Sequence, residues 1–156
     1  MSGRGFHGYY PIPRLAGQQP EYIKNQLQAF IDRRRTNNIM FNVSHVLSPA
    51  MLDALTESFQ QLDPKPLTKP APEALIAEGK KIFEEGITKS DIPPCAGCHG
   101  PEGKGDGQFP RLAGQLSDYT TDKLTNWAKE LCSKNVKPMQ PMMASVSSMR
   151  FRMHGW

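Results

Sequence analysis

The stretch Cys95-Ala96-Gly97-Cys98-His99-Gly100 sets two thiols three residues apart and an imidazole directly after the second. C-x-x-C-H is the attachment signature for a c-type haem. On one turn of helix, side chains at i and i+3 share a face. Both sulfurs can therefore reach the two vinyl groups along one porphyrin edge, and His99 is carried beneath the ring, where an imidazole nitrogen can bind iron. Paired cysteines serve two other chemistries. A zinc site needs four ligands, usually from a second Cys or His pair, and none stands at that spacing. A thioredoxin-like redox pair wants a βαβ setting, and no strand run precedes Cys95. Haem attachment is the reading the motif supports best.

The chain has 156 residues and a formal charge of +4. A hydrophobic fraction of 38% is low, so a compact core needs help from a cofactor or from tight repeats, and a porphyrin would supply apolar surface. The densest basic run, Arg33-Arg34-Arg35, reads as a solvated helix end. No motif accompanies it, so nucleic acid is not an expected partner. The third cysteine, Cys132, stands alone and receives no role. No stretch is long or apolar enough to span a membrane, and Met1 to Phe6 lacks the apolar core of a signal peptide.

Pro13-Arg14-Leu15-Ala16-Gly17-Gln18 recurs unchanged as Pro110-Arg111-Leu112-Ala113-Gly114-Gln115. Six identities in register mark an internal duplication. Upstream stand Gly3-Arg4-Gly5 and Gly103-Lys104-Gly105; downstream, Met40-x-x-Val43-Ser44 matches Met143-x-x-Val146-Ser147. With Gly103 set on Gly3, the counterparts of Cys95, Cys98 and His99 fall just before residue 1. The expectation is a first unit over 1–62 cut immediately after its haem motif, a linker over 63–72 and a second unit over 73–156.

The predicted elements are helical throughout. After Pro20, the residues Ile23, Leu27, Phe30 and Ile31 form one apolar stripe. A loop through Thr36-Asn37-Asn38 is expected to carry Met40. Ser48-Pro49 supplies an N-cap and a first-turn proline for a helix striped by Leu52, Leu55, Phe59 and Leu62. Residues 63–72 hold four prolines and read as a stiff, extended linker. A helix with Leu75, Gly79, Ile82 and Phe83 on one face leads toward the motif. Glycines 100, 103, 105 and 107 suit a tight turn beside a bulky cofactor. A last helix starts near Ser117, striped by Leu124, Trp127 and Leu131. No period-two pattern occurs, so the fold class is all-α.

These features together resemble the class I c-type cytochromes, most closely the dihaem cytochromes of the c4 type. The resemblance rests on the helix ending Gly79-Lys80-Lys81-Ile82-Phe83, the haem motif, the doubled hexapeptide and the proline-rich linker. It implies two tandem haem units in a periplasmic electron carrier, one haem c in this chain and two in a full-length form. Partners would be redox proteins such as a terminal oxidase or a cytochrome bc-type complex, and contact with a membrane would come only through them. It also implies thioethers from Cys95 and Cys98, His99 as proximal ligand, and Pro110 orienting the imidazole through its carbonyl. The distal ligand would be a methionine, a soft donor that raises the potential. The repeat selects Met143, with Met142 and Met139 as alternatives; Met40 becomes a relic ligand unless another chain supplies haem.

The family's closing helix has a counterpart in Pro49 to Leu62 but none after Met143. From about Glu130 the likeness is expected to fade, which leaves the second unit without its last helix and makes His154 a substitute ligand to consider. Two other functions stand beside the electron carrier. One is a five-coordinate haem protein with peroxidase-like activity, and the other is a non-functional fragment of a dihaem cytochrome.

Overall fold

The computed structural model describes residues 2–132, the last six of them as backbone. Six α-helices follow one another: α1 (Pro20–Ile31), α2 (Asn38–Val46), α3 (Pro49–Gln61), α4 (Glu73–Glu85), α5 (Ala96–His99) and α6 (Ser117–Cys132). Among the described residues the only β pairing is three isolated bridges. The all-α expectation holds.

Pro20 opens α1, and its stripe faces inward, with Ile23, Leu27, Ala29 and Phe30 buried. Both α2 and α3 pack on α1, and Lys24 pairs with Asp53 across the α1–α3 contact. Ser48 caps α3 as expected, its Oγ accepting from the Met51 N–H at 3.3 Å. The loop expected to carry Met40 is corrected. Asn37 Oδ1 accepts the Met40 N–H at 2.9 Å, so Asn37 acts as an N-cap and Met40 lies in the first turn of α2. An Asn-Asn pair reads equally well as a turn, and only the chain that follows decides.

The basic run is also more engaged than a solvated helix end. Arg33 lies over the Phe41 ring and Arg35 over Phe30, Arg34 pairs with Asp32, and Arg35 reaches Gln26 at 2.7 Å. Of the predicted face of α4, only Phe83 is buried, while Leu75 is 40% exposed. The end of α4 is set by Gly86, at φ 74°, where an added Cβ would lie 2.2 Å from the Ile92 carbonyl oxygen.

The duplication is visible as repeated backbone geometry. Gly3 O accepts from the N–H groups of Leu15 and Ala16, and Gly103 O accepts from those of Leu112 and Ala113. The φ angles of Gly3 and Gly103 are 59° and 62°, and Gly17 and Gly114 both stand at 72°. A side chain at any of these would be strained. The copies differ between the second glycine and the hexapeptide. There the first copy carries a longer loop that presents Tyr9 and Tyr10 edge to face, at 4.8 Å and 90°.

The two hexapeptides meet. Gln115 Oε1 accepts the Arg14 N–H at 2.8 Å, and its Nε2 donates to Arg14 O at 3.1 Å. Gln18 does the same to Arg111, at 2.7 Å and 3.2 Å. Each glutamine also accepts the N–H of the residue after it. Each arginine bonds back onto its own copy, Nε to the carbonyl two residues on, at 3.1 Å in both. The proline-rich segment is strapped across this junction. Arg14 donates to Pro64 O and Asp63, Arg4 to Lys65 O, and Pro66 lies against Gly114. Burial pushes the Arg14 guanidinium pKa down and Arg111 adds to this, while Asp63 opposes; an arginine still stays charged.

Asp118, at the start of α6, closes the same junction. Lys69 bonds it from the linker and His7 from the first copy at 3.2 Å. The Lys69 hydrogen bond above all, then that of His7, holds this carboxyl below its usual range against the opposing effect of burial. A depressed folded-state pKa gives stability that is complete above the ordinary aspartate value of about 3.9 and is lost as pH falls through the lower, folded value. Asp118→Asn should therefore flatten part of the acid limb of a plot of melting temperature against pH. Far-UV circular dichroism in steps from about pH 5 to about pH 2 checks this. An acid limb identical to that of the parent chain would contradict it.

Candidate haem-attachment site

The motif sits where the sequence requires a helical turn. Cys95 immediately precedes α5, and its carbonyl accepts the N–H groups of Cys98 at 3.2 Å and His99 at 3.0 Å. Gly100 ends the turn at φ 77°. A Cβ on Gly97 or Gly100 would meet nothing within 4 Å, so the motif is open on those sides. Cys95 is partly buried and Cys98 is exposed.

His99 is the fixed point. Its Nδ1 lies 2.8 Å from Pro110 O. A carbonyl only accepts, so Nδ1 carries the proton and Nε2 keeps its lone pair for a metal. The His99 carbonyl in turn accepts the Gly105 N–H at 2.8 Å. Phe109 stands edge-on to the imidazole, with centroids 6.3 Å apart and planes at 79°. The ring is thus oriented on one side and free on the other. Two thiols on one turn followed by such a histidine fit a covalently attached haem bound through Nε2.

The other uses of paired cysteines gain nothing from the geometry. A redox pair needs a thiol whose pKa is depressed, whereas burial pushes the Cys95 thiol up, and Cys98 adds to the shift. Among the described residues no three of His, Cys, Asp and Glu gather as a metal cage.

The structure places Cys95, Cys98 and His99 on one turn and Pro110 against His99. Met40 lies on α2 in the other copy. Met139, Met142, Met143 and His154 lie outside the described residues, and Cys132 is described only as the end of α6. Sequence reasoning missed Phe109, and it missed the contact of Gln18 with the residue after Pro110. The signal for Gln18 was the exact recurrence of the hexapeptide, which carries its glutamine unchanged in both copies.

A helical turn entered at Cys95 and carrying Cys98 and a carbonyl-oriented histidine, on a frame that is all-α among the described residues, defines a c-type cytochrome. The cytochrome c family model matches residues 76–151. That span takes in all three candidate methionines. Cytochrome c-552 of Acidithiobacillus ferridurans is 41% identical over 130 residues, 80% of this chain and 56% of that protein. The thiosulfate dehydrogenase electron acceptor of Thiomonas intermedia is 39% identical over 119 residues, 74% of this chain and 54% of that protein. Among solved structures, cytochrome c4 of Acidithiobacillus ferrooxidans superposes with a TM-score of 0.65 at 36% identity, covering 88% of this chain and 89% of that one. The chain belongs to the cytochrome c4 family, whose cofactor is covalently bound haem c. It spans about half the length of the curated relatives it matches.

Gly105 tests how tightly the site is built. At φ 71°, a Cβ there would lie 2.3 Å from Phe109 O and 2.6 Å from the Pro110 carbonyl carbon. Gly105→Ala should cost roughly 1–3 kcal/mol through strain alone. It should also displace the carbonyl that holds His99. The checks are a lowered melting temperature and a poorer yield of chain with covalent haem; an unchanged melting temperature would show the turn to be slack.

Proposed function

We propose that this chain is an electron carrier, not an enzyme, in which Cys95 and Cys98 form thioethers to haem c and His99 is the proximal ligand. The observation that carries the reading is the His99–Pro110 hydrogen bond, which fixes the tautomer and leaves Nε2 free to bind iron. Bound haem supplies a one-electron iron couple. The chain's part is to hold the ligand imidazole still, so that a change of charge meets little reorganisation. The Pro110 carbonyl orients the ring and raises its basicity, while Phe109 limits its tilt from the side. Met143 is the distal ligand proposed, by its match to Met40 in the repeat, with Met142 and Met139 as alternatives.

In this reading residues 1–62 and 73–156 are two cytochrome-like units joined by 63–72, and the protein works in the periplasm. Its partners are redox proteins that dock transiently. The relative named as a thiosulfate dehydrogenase electron acceptor suggests a dehydrogenase as donor, and a terminal oxidase or a cytochrome bc-type complex would be a further redox partner. No described helix is long and apolar enough to cross a membrane.

The test is export of the chain together with haem-attachment machinery. The expected product keeps its haem through acid acetone and shows a sharp α-band on reduction. Replacing both Cys95 and Cys98 by alanine should abolish covalent haem. A product that loses all its haem in acid acetone would refute the proposal.

A further inference from the structure

Pro110 O and Arg111 N belong to one peptide group, and its two ends bond in opposite directions. The carbonyl accepts from His99 Nδ1 at 2.8 Å. The N–H donates to Gln18 Oε1 in the other copy at 2.7 Å. Gln18 is 3% exposed, so its bond competes little with water. An amide whose N–H is engaged carries more negative charge on its oxygen, and hydrogen bonds in such chains strengthen one another by about 10–30% each. We propose that Gln18 is a positioning residue for electron transfer. By polarising the Pro110–Arg111 peptide it strengthens the bond to His99 and lowers the reduction potential of the iron that His99 binds. One copy of the repeat thereby adjusts the redox site of the other.

The sign follows from the chemistry. A stronger acceptor at Nδ1–H gives the imidazole more imidazolate character. That favours the ferric state and lowers the potential. Another contact from the first copy onto the motif's own loop comes from Gln19, whose Nε2 reaches Lys104 O and Gly105 O, both at 3.2 Å. It does not touch the Pro110 peptide.

The duplication provides its own control. Gln115 makes the matching pair of bonds to Arg14, but the peptide it engages, Pro13–Arg14, serves no histidine among the described residues. Gln18→Leu and Gln115→Leu therefore remove equivalent bonds from the junction, and only the first lies in line with His99.

The inference rests on the haem reading above, and the two fail differently. Absence of covalent haem in the parent chain refutes that reading, whereas the variants speak to this one. In the haem-loaded full chain, Gln18→Leu should raise the midpoint potential and move the His99 Nδ1 proton upfield in the reduced-state NMR spectrum. Gln115→Leu should leave both within error of the parent. No shift with Gln18→Leu overturns the proposal. So does an equal rise in both variants, which would assign the effect to a loosened junction. If Gln18→Leu does not fold, Gln18→Glu keeps a stronger acceptor on the Arg111 N–H. The His99 proton should then move downfield, and its failure to do so overturns the proposal.

Discussion

The carboxamides of Gln18 and Gln115 hold this molecule together. Each lies across the backbone of the opposite hexapeptide, accepting from the N–H and donating to the C=O of one arginine. A buried hydrogen bond contributes only about 1 kcal/mol net, but an unmet buried donor or acceptor costs about 1–3. The four bonds therefore act more as a constraint on geometry than as a store of stability. Sliding either copy would leave several part-buried polar groups unpaired. The constraint also explains why the glutamine stands in both copies, since a contact made reciprocally needs the same carboxamide on each side.

Around that junction the cores are small. The first copy buries Ile23, Leu27, Ala29 and Phe30 on α1, and the second buries Phe83, Ile92 and Leu116. Phe109, next to His99, remains 49% exposed. A chain of low hydrophobic content leaves apolar side chains of this kind to be covered by something other than itself, and a porphyrin on the Cys95–His99 turn is a cover of suitable chemistry. The linker adds to the junction what the cores do not. It supplies Asp63 and the Pro64 carbonyl to the buried Arg14, which keeps that charge compensated beside Arg111. This breaks the likeness of the two copies, since Arg14 has the linker as partner in addition to its own loop.

The repeat geometry lets each glycine be understood in pairs. Gly3 and Gly103 turn the chain so that one carbonyl can accept two N–H groups of the hexapeptide, while Gly5 and Gly105 let the strand-like bridge of the loop close against backbone. In the second copy this closure presents Pro110 O to His99. The same turn in the first copy presents Pro13 with no described imidazole to receive it. Structure common to both copies thus serves the junction.

Much was legible in the linear chain. The i, i+3 thiols followed by a histidine specify covalent haem because the helical period alone brings them together. The stripe of Ile23, Leu27 and Phe30 specifies α1, and the doubled hexapeptide specifies the duplication. These are local or self-referential signals, so no tertiary information is needed to read them. Other features depended on the fold. Asn37 caps α2 and puts Met40 in a helix, a choice between two turns that the local residues leave balanced. The arginine run folds back onto Phe30 and Phe41. Above all, Gln18 lies 93 residues from Arg111, and no pattern of spacing connects them. Only when the two hexapeptides are packed face to face does a carboxamide in one copy reach the peptide that holds the histidine of the other. Hydrogen-bond partners distant in sequence are chosen by the geometry of packing, and that geometry exists only in the folded chain.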